Sequence, residues 1–212
     1  LLAQIAEVVE AQDDVFLLVD AVTSAAAVPI YFEDLPPIDY LVTGSQKALA
    51  LPPGLALLAV SERAHDRAAT IENRGTYFDV LAMNKSWKKN QTPATPTIAL
   101  LQALKDRLAM ILADEAGWYG GHEQRATLTR EWAKRQFKLF PESGYESVSL
   151  TCIENTRGIS IAGLNEDLRQ HDMFLSNGYG DLKEKTFRIG HMGAVTVEDT
   201  KELLGLIDNF IG

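Results

Sequence analysis

Five consecutive apolar residues, Val15-Phe16-Leu17-Leu18-Val19, end in a single carboxylate, Asp20, and a second apolar stretch, Tyr40-Leu41-Val42, runs into Thr43-Gly44-Ser45-Gln46-Lys47. A short unbroken apolar run reads as a strand buried on both faces. A third run, Leu55-Ala56-Leu57-Leu58-Ala59-Val60, has the same character. The pattern predicts strands over 15–20, 39–43 and 55–60. Apolar residues at 1, 2, 5, 8 and 9 predict a helix over 1–12, and Ser61 is placed to cap another. Helix and strand in alternation imply an α/β fold with a largely parallel sheet. The stretch 71–94, rich in Asn, Gly and Thr around Thr76-Tyr77-Phe78-Asp79, reads as an irregular segment crossing the surface of the site.

Further on, Thr95-Pro96 is a helix start, because a threonine hydroxyl caps free amides and proline is tolerated at the first helical position. That helix extends to Ala113, with Ile98, Leu101, Leu104, Leu108, Ile111 and Leu112 as its apolar face. Gly117 and Gly120-Gly121 then punctuate the chain and set a boundary between residues 1–118 and 119–212. Beyond it the pattern predicts a helix over 122–137, a strand over 147–153, a turn at Gly158 and a helix over 165–172. A glycine-containing loop, Ser176-Asn177-Gly178-Tyr179-Gly180, a strand over 186–190 and a helix over 196–210 follow. Elements in that order make a small α+β domain.

Composition narrows the class. The chain has 212 residues, 46% of them hydrophobic, and can bury a real core. A net charge of -9 argues against a nucleic-acid surface, which needs clustered Lys and Arg. Lys85, Lys88 and Lys89 around Trp87 form one short basic cluster, read as a solvated face. Cys152 is the only cysteine, so no internal disulfide forms and a cytoplasmic setting is the default. No apolar stretch reaches the length of about 18 residues that marks a membrane span. His65, His122, His171 and His191 lack metal-ligand spacing, and no metal site is indicated.

In open parallel sheets, ligands bind outside the carboxyl ends of the strands, so Asp20 and Lys47 are expected to face one crevice. A carboxylate and a primary amine there point to pyridoxal phosphate. Its aldehyde needs an amine to condense with, and its ring nitrogen keeps its proton beside a carboxylate. Taken alone, each residue has a plainer reading: Asp20 caps a turn and Lys47 is a solvated loop lysine.

The words around them carry a resemblance. Asp20-Ala21-Val22-Thr23-Ser24, Thr43-Gly44-Ser45-Gln46-Lys47-Ala48-Leu49, Pro52-Pro53-Gly54, Asn90-Gln91-Thr92-Pro93-Ala94-Thr95-Pro96 and Thr186-Phe187-Arg188-Ile189-Gly190-His191-Met192-Gly193 resemble the class V aminotransferases. The likeness is strongest to the alanine-glyoxylate and serine-pyruvate branch. It implies a fold type I pyridoxal-phosphate transferase, with 1–118 the C-terminal portion of the large cofactor domain and 119–212 the small C-terminal domain. It implies pyridoxal 5'-phosphate on Lys47, Asp20 at the ring nitrogen, and Gln46 at the phosphate. Thr92 and Thr95 would reach the phosphate of a neighbouring subunit's cofactor, which makes a homodimer with shared sites. Arg188 would bind the substrate carboxylate, since a guanidinium grips it through two parallel hydrogen bonds. The implied reaction moves an amino group from a small amino acid such as alanine or serine to a 2-oxo acid, glyoxylate or pyruvate, in two stages. The freed Lys47 amine would move the proton.

The chain opens inside a helical pattern without an initiator methionine and looks truncated there. The family's Gly-rich phosphate loop and ring-stacking aromatic would precede Leu1, so these residues alone are expected to bind cofactor weakly and could be inactive. Three other readings stand. Phosphoserine transamination needs further basic residues. Cysteine desulfuration normally has His where Gln46 stands and its cysteine in a mobile loop, whereas Cys152 falls in an alternating, strand-like stretch. A catalytically inactive binding or dimerisation domain is the third.

Overall fold

The computed structural model describes residues 1–32 and 36–212. They divide into two compact units, Leu1–Ala25 with Pro29–Ala109, and Ala26–Val28 with Met110–Gly212. No helix among the described residues is long and apolar enough to cross a membrane.

In the first unit, α1 (Leu2–Glu10) precedes β1 (Leu18–Asp20), β2 (Tyr40–Gly44) and β3 (Ala56–Val60), which form one sheet in that order. β1 and β2 run parallel, with Asp20 beside Val42. β3 returns antiparallel to β2, Gly44 facing Ala56. The reason lies in the link. A parallel return needs a crossover of a dozen or more residues, usually a helix, whereas the segment after β2 folds into turns. Ala6, Leu17, Ala21, Ile38 and Leu41 form the buried apolar cluster of this unit.

A polar anchor sits at the opposite end of the sheet from Lys47. Asp39 is fully buried, and its Oδ2 accepts the Leu17 N–H at 2.9 Å while Oδ1 accepts the Ser61 hydroxyl at 2.8 Å. Arg63 donates to both oxygens through Nε and Nη2. The same guanidinium donates to the Val15 carbonyl and lies 4.7 Å from the centroid of the Phe16 ring. One carboxylate therefore ties the entry to β1, the start of β2 and the helix after β3. Burial pushes the Asp39 carboxyl upward, but the hydrogen bonds from Arg63, Leu17 and Ser61 prevail and hold it below its ordinary value.

Ser61 caps α2 (Glu62–Ala69) as expected, accepting the Ala64 N–H. The stretch read as irregular contains α3 (Val80–Trp87), where Asp79 accepts the Leu81 N–H and pairs with Arg74. The Asn- and Gly-rich composition before it masked an ordinary cap followed by Val80-Leu81-Ala82-Met83. The next helix, α4 (Ile98–Ala113), begins three residues later than Thr95. The Thr97 carbonyl accepts the Leu101 N–H, so the first turn starts where the apolar face starts.

In the second unit, α5 spans Glu115–Gln136 without a break at its glycines. The expected interruption fails because those glycines make room. Asp114 accepts the Gly117 N–H as cap, against the place where a Cβ of residue 117 would sit. A Cβ at Gly121 would lie 3.1 Å from an Arg125 nitrogen. β4 (Lys138–Leu139), β5 (Leu150–Glu154), β6 (Ser176–Asn177) and β7 (Thr186–Gly190) form an antiparallel sheet ordered β4-β5-β7-β6. α6 (Ile161–Leu168) starts four residues before the expected helix, since Ile161, Leu164 and Leu168 are its fully buried stripe. The C-terminal helix, α7 (Val197–Ile211), opens on a capping box of Thr196 and Asp199. Trp132, Phe137, Ile153, Phe187, Ile189, Leu204 and Ile207 are among the residues of the core beneath this sheet and its helices.

Candidate active site

Lys47 lies on a turn immediately after β2, half-buried. Neighbouring residues make that turn stiff. Ser45 is fully buried, its hydroxyl donating to the Pro52 carbonyl at 2.7 Å and accepting the Leu55 N–H. Its amide donates to the Leu55 carbonyl and its own carbonyl accepts the Leu51 N–H. The Lys47 carbonyl accepts the Ala50 N–H, and Ala50 sits at φ +54, closing the turn. Gln46 is exposed, with its side chain folded back over Gly44, where a Cβ would lie 2.5 Å from the amide oxygen. Glycine at 44 is therefore what lets the Gln46 amide lie at the carboxyl end of β2.

Asp20 closes β1, the parallel neighbour of β2, so Asp20, Gln46 and Lys47 come to the same end of one sheet. The expected burial of the first strand is not found. Leu18 is 68% exposed and Asp20 is exposed, and β1 pairs among the described residues only with β2. Asp20 Oδ1 accepts the Val22 N–H at 2.9 Å. The carboxylate thus caps the turn over 21–25 and stays open to solvent at the sheet end.

Thr92 and Thr95 are exposed in the connection between α3 and α4. The Thr92 hydroxyl donates to the Ala94 carbonyl. Thr95 does not cap α4, so the free amides of that helix belong to later residues. Both hydroxyls lie on a solvent-facing surface of the first unit.

Arg188 occupies the centre of β7, an inner strand, with Cys152 of β5 and Ser176 of β6 directly opposite on either side. It forms no ion pair with a carboxylate among the described residues. Its Nη2 donates to the Asn177 carbonyl at 3.0 Å, its Cζ lies 3.9 Å from the Tyr179 ring centroid, and its Nε is buried without a hydrogen-bond partner. An inner-strand arginine without a counter-ion, holding an orphaned donor, suits an incoming carboxylate. Cys152 is half-buried inside the sheet, and burial pushes its thiol up despite the Arg188 charge.

A polar cluster that sequence reasoning missed holds the turn after β7. Arg125 donates through Nε to the His191 carbonyl at 2.9 Å and through Nη2 to the Gly193 carbonyl. His122 Nε2 accepts the Gly193 N–H at 2.9 Å, which requires the proton on Nδ1, facing the Trp118 carbonyl. His191 Nε2 meets the Thr151 hydroxyl at 2.8 Å, and both histidines are fully buried. The only advance signal was His191 inside the motif; Arg125 and His122 sit in a helix whose glycines looked like a break.

Burial, with the Arg130 and Arg125 charges, lowers the His191 pKa to about 4, and burial with the Arg125 charge lowers that of His122 against the opposing Trp118 contact. Both bases are easier to protonate unfolded. The stabilising effect of neutral His191 is complete above about pH 6.5 and is lost as pH falls toward about 4, at up to about 1.4 kcal/mol per pH unit, and that of His122 is lost in the same direction. Urea unfolding midpoints should therefore drop between about pH 7 and pH 5, and His191→Gln should flatten that slope. A slope unchanged by the substitution would contradict the assignment.

Comparison with known proteins gives consistent matches. A family model for aminotransferase class-V covers residues 1–164. An uncharacterized aminotransferase of Methanocaldococcus jannaschii is 33% identical over 210 residues, covering 97% of this chain and 54% of that protein. The L-aspartate--glyoxylate aminotransferase of Paracoccus denitrificans is 30% identical over 201 residues, covering 92% of this chain and 50% of that protein. The solved alanine--glyoxylate aminotransferase from Nostoc sp. matches with a TM-score of 0.91 at 25% identity, across 100% of this chain and 58% of that one. The chain spans about half the length of the curated relatives it matches.

Proposed function

The chain belongs to the class V aminotransferase family, and from that premise we propose that the protein is a pyridoxal-phosphate-dependent transaminase. Its fold is the fold type I arrangement of those enzymes. The reaction proposed moves an amino group from a small amino acid, alanine, serine or similar, to glyoxylate or pyruvate. One observation carries the reading: a half-buried primary amine, Lys47, on a stiff turn at the same sheet end as the Asp20 carboxylate.

The residues fit the cofactor. Gly44 lets the Gln46 amide lie at the carboxyl end of β2 with its uncharged donors, and the Arg188 guanidinium, with no ion-pair carboxylate among the described residues, offers donors for a substrate anion. Lys47 would hold the cofactor aldehyde covalently, Asp20 the ring-nitrogen proton, and Gln46 a phosphate oxygen. Bound pyridoxal phosphate supplies an electron-withdrawing ring that makes the donor's Cα–H acidic. The Lys47 amine, when free, would take the proton from the donor's Cα and hold it for return. Arg188 would bind the donor's carboxylate through paired N–H donors. The acceptor acid would bind the same guanidinium through its own carboxylate.

Thr92 and Thr95 are proposed to reach the cofactor phosphate of a second copy, making a homodimer. Residues 1–118 are proposed as part of the cofactor domain and 119–212 as the small domain, in a cytoplasmic enzyme. Against desulfuration, Cys152 lies within β5, and Gln46 precedes the lysine.

Alanine, serine, aspartate and phosphoserine assayed against glyoxylate, pyruvate and 2-oxoglutarate test the reading. Transfer from alanine or serine to glyoxylate or pyruvate is expected, and no transfer with any pair would overturn it. Arg188→Ala should lower kcat/KM for the donor by about 30- to 100-fold, about 2–3 kcal/mol, with most of the change in KM. An unchanged KM would remove Arg188 from the site.

A further inference from the structure

The loop between β6 and β7 is tied down along its length. Asn177 Oδ1 accepts the N–H groups of Gly178 and Glu184, its amide donates to the Glu184 carboxylate, and that carboxylate also accepts the Ile161 N–H. Gly178 donates to the Thr186 carbonyl, and a Cβ there would overlap the Leu182 carbonyl. Leu182 and Lys183 close further turns onto Tyr179 and Gly180. This is a braced loop. At its tip the Tyr179 ring lies against the Arg188 guanidinium, 3.9 Å from Cζ to the ring centroid, while the loop's Asn177 carbonyl takes one Nη2 donor.

We propose that Tyr179 is a positioning residue for substrate: its ring, held by the braced loop, fixes the plane of the Arg188 guanidinium so that the remaining N–H donors meet the carboxylate of the amino or oxo acid. The proposal rests on Arg188 being the carboxylate partner. Stacking suits this task in a way an ion pair does not. A carboxylate beside Arg188 would fix it but would compete with substrate for charge and donors. An aromatic face attracts the cation while using none of its five in-plane N–H groups. The side chain is thereby ordered before substrate arrives, which lowers the entropy cost of binding. Tyr179 is 75% exposed, so its ring is not part of the core.

The test uses the cofactor-loaded enzyme at its full natural length, with L-alanine or L-serine as donor, whichever reacts faster, and propionate as a non-reacting carboxylate. Tyr179→Leu should raise the donor KM and the propionate Kd together by about three- to tenfold, with kcat within about twofold, the range of a cation–π contact. Tyr179→Phe keeps the ring and should restore both. In an Arg188→Ala background, Tyr179→Leu should add nothing to either constant. If Arg188→Ala leaves both constants unchanged, the role of Arg188 is wrong and the proposal falls with it. If Arg188→Ala acts but Tyr179→Leu has no effect, lowers kcat instead, or acts equally in both backgrounds, Tyr179 does not work through Arg188. Unchanged thermal midpoints and circular dichroism are expected for both Tyr179 variants.

Discussion

Lys47→Ala is expected to lower amino transfer by at least about 1,000-fold while leaving the protein folded. The size follows from the two tasks assigned to one amine. In the proposed reaction it would anchor the cofactor aldehyde covalently and would shuttle the proton at Cα, a step worth about 100- to 10,000-fold by itself. Lys47→Arg retains the positive charge but cannot perform the same condensation, so it should be nearly as inactive. Stability should hardly change, by less than about 0.5 kcal/mol, because the turn is kept by Ser45, Leu51 and Leu55 and not by the Lys47 side chain. Stopped-flow measurement of the donor half-reaction, beside a thermal melt, checks both statements. A folded Lys47→Ala enzyme with near wild-type turnover would sink the assignment.

Asp39→Ala is expected to do the reverse, costing about 3 kcal/mol of stability with little direct effect on chemistry. The carboxylate is fully buried and accepts hydrogen bonds from Leu17, Ser61 and Arg63. Its removal strands the Leu17 amide, at about 1–3 kcal/mol, and leaves Arg63 without its partner. Breaking a buried pair costs about 3–5 kcal/mol. The Arg63 side chain is 42% exposed and can turn to water, which keeps the total at the lower end of that range. The anchor also carries a pH signature. The folded Asp39 pKa is below the unfolded one, so its stabilisation is present above about pH 4 and is lost as pH falls through the folded value. Urea unfolding at neutral pH tests the magnitude, and a loss under about 0.5 kcal/mol would show that the pair is not structural.

Much of the candidate site's placement was legible because it is local. A lysine one residue past Gly44-Ser45-Gln46, a serine before α2 and an arginine inside a strand-like pattern are features of neighbouring residues, and the structure places each near where its pattern says. What escaped was long-range or compensated. Asp39 begins an apolar stretch and looks like a boundary residue; its partners Leu17, Ser61 and Arg63 are brought to it only by the sheet. Gly117 and Gly121 weaken a helix by propensity, yet α5 runs through both because Asp114 and Arg125 fill the space. Tyr179 sits in a glycine-containing segment that reads as a plain loop. Asn177 and Glu184 turn that segment into a brace, and no local pattern announces a side-chain amide bonding to a glutamate seven residues on.

The central claim is that Lys47 is the residue to which the cofactor attaches. Borohydride reduction of the enzyme at its full natural length, loaded with pyridoxal 5'-phosphate, followed by peptide mass spectrometry, tests it most directly. The account predicts a single reduced pyridoxyl-phosphate adduct on the peptide containing Lys47, absent in Lys47→Ala. An adduct on another lysine, or none with the cofactor bound, would contradict it.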